Sequence, residues 1–187
     1  MASETSWVPA TFTDDEFERL LGETALDRMG RFELRGGELS RMNAQYAPHG
    51  IVKSQLFRKI SEALEKTNLG LRAAVETSVR FGNGFSPLPD ILVFHPFQGR
   101  KAIPGDKVLW IVEVSDSTLA DDLGDKLQEY ARAGLPEYWV ADINARAIHL
   151  FADPFEGAYR KAALAQFEER VAALTLEGVL VEATNLD

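Results

Sequence analysis

Two carboxylates set inside strand-like apolar sequence constrain this chain more than any other feature. Asp90 stands at the mouth of the run Ile91 to Phe94, and Glu113 stands near the end of a second run, Val108 to Val114. An ionised carboxylate taken out of water is costly unless a cation or hydrogen-bond donors compensate it. If both runs are buried strands, their acids need a shared compensating group. A hard divalent cation is the usual partner of two convergent carboxylates.

The spacing that follows Glu113 adds a third member. Alternate strand residues share a face, so Glu113 and Ser115 point one way and Val114 the other. Asp116, Ser117 and Thr118 are N-cap candidates for a helix from about Leu119, and Gly134 with Pro136 closes it. That helix sets Asp122, Lys126 and Tyr130 at successive i, i+4 positions, beside an apolar row of Leu119, Leu123, Leu127 and Ala131. A lysine on that face leans over the strand end that carries Glu113. Two carboxylates and an ammonium suit phosphodiester hydrolysis, with metal-bound hydroxide as nucleophile and the ammonium stabilising developing charge. The alternative reading of Asp122 and Lys126 is a helix-surface ion pair worth ~0.3–0.5 kcal/mol.

Pro89-Asp90, then Glu113-Val-Ser-Asp-Ser-Thr118, then Asp122, Lys126, Tyr130, Gly134 and Pro136-Glu-Tyr-Trp-Val-Ala-Asp142, in this order, resemble the Uma2 family of the PD-(D/E)XK nuclease superfamily. The resemblance runs from about Phe32 to Phe151. It implies an α/β (α+β-like) fold, a central mixed β-sheet flanked by helices with a restriction endonuclease-like core. It also implies an endonuclease that cuts DNA with Mg²⁺, for which Mn²⁺ is a substitute. On this likeness Asp90, Glu113 and the Val114 carbonyl hold the metal. Lys126 replaces the superfamily lysine, whose usual place two residues after the glutamate is Ser115 here. Asp122 and Tyr130 orient Lys126. Glu38 and His49 match an acid and a histidine of the family near the site; an exposed strand residue and a packed helix-start histidine are the alternatives. Replacing Asp90 or Glu113 by Ala is expected to abolish cleavage and leave the fold intact or more stable, as repulsion is relieved. Ser115 in place of lysine and the acidic balance favour a second reading, a non-catalytic nucleic-acid-binding or scaffold protein on a nuclease-derived fold. Hydrolysis of RNA or a small nucleotide is a third. No serine stands in a nucleophile-elbow motif, which argues against acyl transfer.

At 187 residues the chain fits one domain, with a core of about 30–152 and an N-terminal helix and C-terminal short strands appended. The absence of cysteine, of a long apolar run and of a secretory pattern in the first twelve residues points to a cytoplasmic protein without membrane contact. A net charge of −9 argues against nonspecific coating of DNA. Two local groups, Lys53, Arg58, Lys59 and Lys66, and Arg100, Lys101 and Lys107, are either backbone contacts or solvated surface charge. Two strands of a duplex need two cuts, which favours a homodimer.

The remaining chain reads as follows. Thr13 to Glu16 is a capping box opening a short helix. Arg31 to Met42 is a hairpin turning at Gly36-Gly37. Pro48 to Asn68 is a helix with Val52, Leu56, Ile60 and Leu64 on one stripe and His49 one turn earlier. Leu71 to Phe81 reads as one strand. His95 to Lys107 reads as a mobile, substrate-facing flap. Glu137 to Asp142 and Ala147 to Phe151 form a second hairpin, followed by short strands at Tyr159 to Ala163 and within Val171 to Val181.

Overall fold

The two acidic runs become neighbouring central strands of a six-stranded mixed sheet. The computed structural model describes residues 10–22 and 29–186. Its elements are α1 Asp14–Gly22, β1 Phe32–Arg35, β2 Glu38–Arg41, α2 Ala47–Glu65, β3 Arg72–Val75, β4 Val79–Arg80, β5 Ile91–Phe94, β6 Ile103–Pro104 and a 3-10 turn Gly105–Lys107. There follow β7 Val108–Ser115, α3 Leu119–Asp122, α4 Asp125–Arg132, β8 Glu137–Asp142, β9 Ala147–Phe155, β10 Ala158–Gln166, β11 Arg170–Ala172 and β12 Leu180–Glu182. The large sheet runs β10-β9-β8-β7-β5-β3. Only its β7–β8 pairing is parallel; the rest are antiparallel. The fold is thus α/β (α+β-like), with helices over a mixed sheet. Most of the stretch searched for a secretory leader lies outside the described residues. Among those described, no helix is long and apolar enough to cross a membrane.

Continuous apolar strands are covered on both faces, and here the two faces feed two cores. Val112 and Val114 of β7, Ile91 and Val93 of β5, and Trp139 and Ala141 of β8 pack with Val52, Leu56, Ile60 and Leu64 of α2. C-terminal residues Val171, Val179 and Val181 close the same core. Ile111 of β7, Leu92 and Phe94 of β5, and Tyr138 and Val140 of β8 face the other way, with Tyr130 of α4. Glu113 alternates with Val112 and Val114, so it shares the α4 face with Ile111.

Four local expectations need correction. Leu71 to Phe81 is not one strand: Glu76 adopts φ +47, and the chain turns there to make β3 and a separate β4. His95 to Lys107 is not a flap over the site. Its β6 pairs with β4, Ile103 is buried, and none of it lines the cleft described below. The helix after Glu113 is two pieces, α3 and α4, because Gly124 bends away from helical geometry at φ −108, ψ −107. Lys53 and Lys59 are buried rather than presented on the surface.

The capping box forms as expected. The Thr13 amide donates to Glu16 Oε2 at 2.8 Å, and the Glu16 amide donates to Thr13 Oγ1 at 3.3 Å. Gly36 and Gly37 turn the first hairpin at φ +58 and +81, values few other residues adopt.

Candidate active site

Strand register brings the two acids together. Ile91 pairs with Val112 in the antiparallel β5–β7 ladder, and one further step sets Asp90 opposite Glu113. The two are cross-linked through backbone. The Asp90 amide donates to Glu113 Oε2 at 3.3 Å, and the Val114 amide donates to Asp90 Oδ2 at 2.9 Å. The helix row arrives from the other side. Lys126 Nζ lies 3.0 Å from Glu113 Oε1 and 3.8 Å from Asp122 Oδ1. Tyr130 donates its hydroxyl to Glu113 Oε1 at 2.9 Å. Asp122 Oδ2 accepts from Ser115 Oγ and, at 2.6 Å, from Thr118 Oγ1. Ser115 therefore anchors Asp122, the helix neighbour of Lys126.

His49 at the start of α2 places Nε2 3.0 Å from Asp90 Oδ2. Gln45 Nε2 donates to Asp90 Oδ1 at 2.9 Å, and Lys53 Nζ lies 3.5 Å from the same oxygen. Asp90, Glu113, Val114, Lys126, Asp122 and His49 all line one cleft of about 530 Å³.

Glu38 does not join them. It is exposed beside the hairpin turn, outside the cleft lining. The acid of the first hairpin that reaches the site is Glu33, buried in the lining with Oε2 4.0 Å from Lys126 Nζ. Position along the hairpin explains the swap: Glu38 pairs with Arg35 beside the turn, whereas Glu33 pairs with Ser40, which lines the cleft. Glu33 and Arg35 share one face of β1, and that face turns toward α3 and α4. Arg35 forks onto Asp121 at 2.7 and 3.0 Å and reaches Glu129 Oε2 at 2.7 Å, clamping the hairpin to both helices. The charged pair around buried Leu34 was the available signal for Glu33. Nothing local marked Gln45, which reaches Asp90 from the loop before α2.

Electrostatics divides the pair. Burial pushes Asp90 up, but the His49 hydrogen bond and charge, the Val114 amide and the Lys53 charge outweigh it and hold Asp90 below its ordinary range. Burial pushes Glu113 up to about 8; Lys126 pulls it back, while Asp90, Asp122 and Glu33 push it further. Lys126 is held above its usual value, since Glu113, Glu33 and Asp122 outweigh the cost of burial. Burial likewise holds the Tyr130 phenol well above its ordinary value, so it stays a hydrogen-bond donor.

The donors suit a hard cation. Asp90 and Glu113 offer carboxylate oxygens, and Glu33 Oε2 is buried in the same cleft without a hydrogen-bond partner. Mg²⁺ binds through one or two carboxylates while keeping several waters. Among the described residues, no group of three or more His, Asp or Glu is arranged to hold a metal ion.

A family model described as "Uma2: Putative restriction endonuclease" matches residues 14–184. A solved structure from Anabaena variabilis ATCC 29413, described as a "putative nuclease belonging to DUF820", superimposes with a TM-score of 0.64. The match covers 88% of this chain and 89% of that one at 20% identity, a likeness of fold. No curated protein matches the chain.

Proposed function

The chain belongs to the Uma2 family, and from that premise we propose that it is a metal-dependent endonuclease hydrolysing DNA phosphodiester bonds. The observation that carries this reading is the ammonium at the acid pair: Lys126 Nζ 3.0 Å from Glu113 Oε1, with Asp90 opposite Glu113 in the register. Asp90 and Glu113 would hold Mg²⁺, or Mn²⁺ in its place, with the Val114 carbonyl as a backbone ligand. The chemistry a bound Mg²⁺ supplies is activation of water and neutralisation of the phosphate. Lys126 faces the cleft as a fixed cation and stabilises charge on the phosphoryl oxygens. Tyr130 orients Glu113, and Asp122, fixed by Ser115 and Thr118, keeps the Lys126 side chain over the strand end. His49 holds the second Asp90 oxygen. A cytoplasmic homodimer, one copy for each strand of a duplex, completes the reading.

Nicking of supercoiled plasmid in Mg²⁺ tests it, with single-stranded DNA and RNA as parallel substrates. Asp90→Asn and Glu113→Gln are each expected to lose cleavage by at least about a hundredfold while remaining folded. Cleavage retained by both folded variants would falsify the proposal. One observation favours a non-catalytic nucleic-acid-binding or scaffold protein instead: Asp90 is already engaged by Val114, His49, Gln45 and Lys53. Mn²⁺ calorimetry separates the two readings, since only the nuclease shows Asp90-dependent binding.

A further inference from the structure

Asp90 has a cation of its own. Lys53, on α2 one turn after His49, is buried, and its Nζ contacts Gln45 Oε1 and Glu76 Oε1. The same ammonium lies 3.5 Å from Asp90 Oδ1, where Gln45 Nε2 also donates at 2.9 Å. Lys53 stands behind the carboxylate rather than in the cleft lining, so it cannot touch a substrate held there.

Lys53 also has a second anion. Glu76 sits at φ +47, in the left-handed region that side chains other than glycine rarely enter. This turn sends its amide to the Asp90 carbonyl at 3.2 Å and its carboxylate to Lys53 and to Arg31. Burial raises the Glu76 carboxyl, but the hydrogen bonds from Lys53 and Arg31 outweigh it and hold it below its ordinary value. Glu76 therefore stays an anion able to carry the Lys53 charge.

We propose that Lys53 is a displaceable counter-ion that sets how tightly Asp90 binds a divalent cation. It is shared among Asp90, Glu76 and Gln45 in the metal-free protein and is left to Glu76 and Gln45 when a metal takes Asp90. This rests on the metal-dependent reading above. The physical reason is repulsion: a cation arriving at an Asp90 oxygen meets an ammonium a few ångströms away and must push it aside. Lys53 is then a positioning residue, acting through Asp90.

Calorimetry of Mn²⁺ binding to the full chain at fixed pH tests this on wild type, Lys53→Met and Glu76→Gln. Lys53→Met is expected to bind Mn²⁺ at least about fivefold more tightly, because the competing charge is gone. Glu76→Gln is expected to bind at least about fivefold more weakly, because Asp90 is then the carboxylate left to balance the Lys53 charge. An ion pair that only braces the fold moves both affinities the same way or neither, and either result overturns the inference. The Glu76 side chain is 33% exposed, so Glu76→Gln keeps the fold. If circular dichroism shows Lys53→Met unfolded, Glu76→Gln decides alone, and unchanged or tighter binding overturns the inference. An absence of Mn²⁺ binding by wild type, or binding undiminished in Asp90→Asn, overturns the metal-dependent reading and this inference with it.

Discussion

Asp90 and Glu113 stand opposite each other on adjacent strands, yet their surroundings push them in opposite directions. Asp90 is met by Val114, His49, Gln45 and Lys53, whereas Glu113 is fully buried among three other acids, with one ammonium, one phenol and the Asp90 amide to offset them. An acid whose folded value is about 8 against an ordinary 4.5 binds more protons folded than unfolded. Its contribution to stability is therefore full below the ordinary value and is lost as pH rises through about 8. In chelator-containing buffer, urea unfolding should show stability falling with pH across that window, with a slope approaching about 1.4 kcal/mol per pH unit from this group. Glu113→Gln should flatten it; an unaltered slope would place the titrating group elsewhere. Where the sequence reading expects deletion of either acid to leave the fold as stable or more so, the geometry predicts a cost. Asp90→Ala strands His49 Nε2, Gln45 Nε2 and the Val114 amide, and Glu113→Ala leaves Lys126 buried beside the more distant Asp122 and Glu33. Each is expected to cost roughly 1–3 kcal/mol.

At the scale of elements, the helix after β7 departs most from its sequence pattern. Periodicity assigns the buried face to Leu119, Leu123, Leu127 and Ala131. In the fold Asp122, Lys126 and Tyr130 are buried together with Ala131, and the three leucines are only half-buried beside them. The demand of Glu113 for a cation and a donor turns the polar row inward, a tertiary effect that hydrophobic spacing does not carry. The break between α3 and α4 permits this rotation. A Cβ on Gly124 would lie 2.5 Å from the Ala120 carbonyl oxygen, so a side chain there forces backbone to shift. Gly124→Ala is expected to lose about 1–3 kcal/mol in urea unfolding. A variant as stable as wild type would show that the kink is not needed.

Over the whole molecule, burial falls from the middle of the sheet outward. β7 and β8 are buried along nearly their whole length, while β3 and β10 form the edges and are largely exposed. Amides of β7 and β8 are therefore expected to exchange hydrogen only with global unfolding, and those at the free edges of β3 and β10 far sooner. Uniform protection across the sheet would contradict that gradient. The same gradient places the site: Glu113 lies within β7, Asp90 stands at the entry to its buried neighbour β5, and their helix-borne partners dock onto them.

Local spacing was enough to mark β5, β7 and β8, the α2 stripe and both hairpins, and it singled out Asp90, Glu113 and Lys126, because periods of two and four residues determine which side chains share a face. It marked the acids as an anomaly because charge in apolar strands needs an explanation. Spacing says nothing about which distant faces meet. Packing decided that Glu33 rather than Glu38 reaches the cleft, that Gln45 and Lys53 close around Asp90, that residues 95–107 lie away from it, and that Asp122 and Lys126 are buried more deeply than the helix leucines. Those outcomes depend on desolvation and charge balance among residues far apart in the chain, quantities that exist only once the sheet has closed.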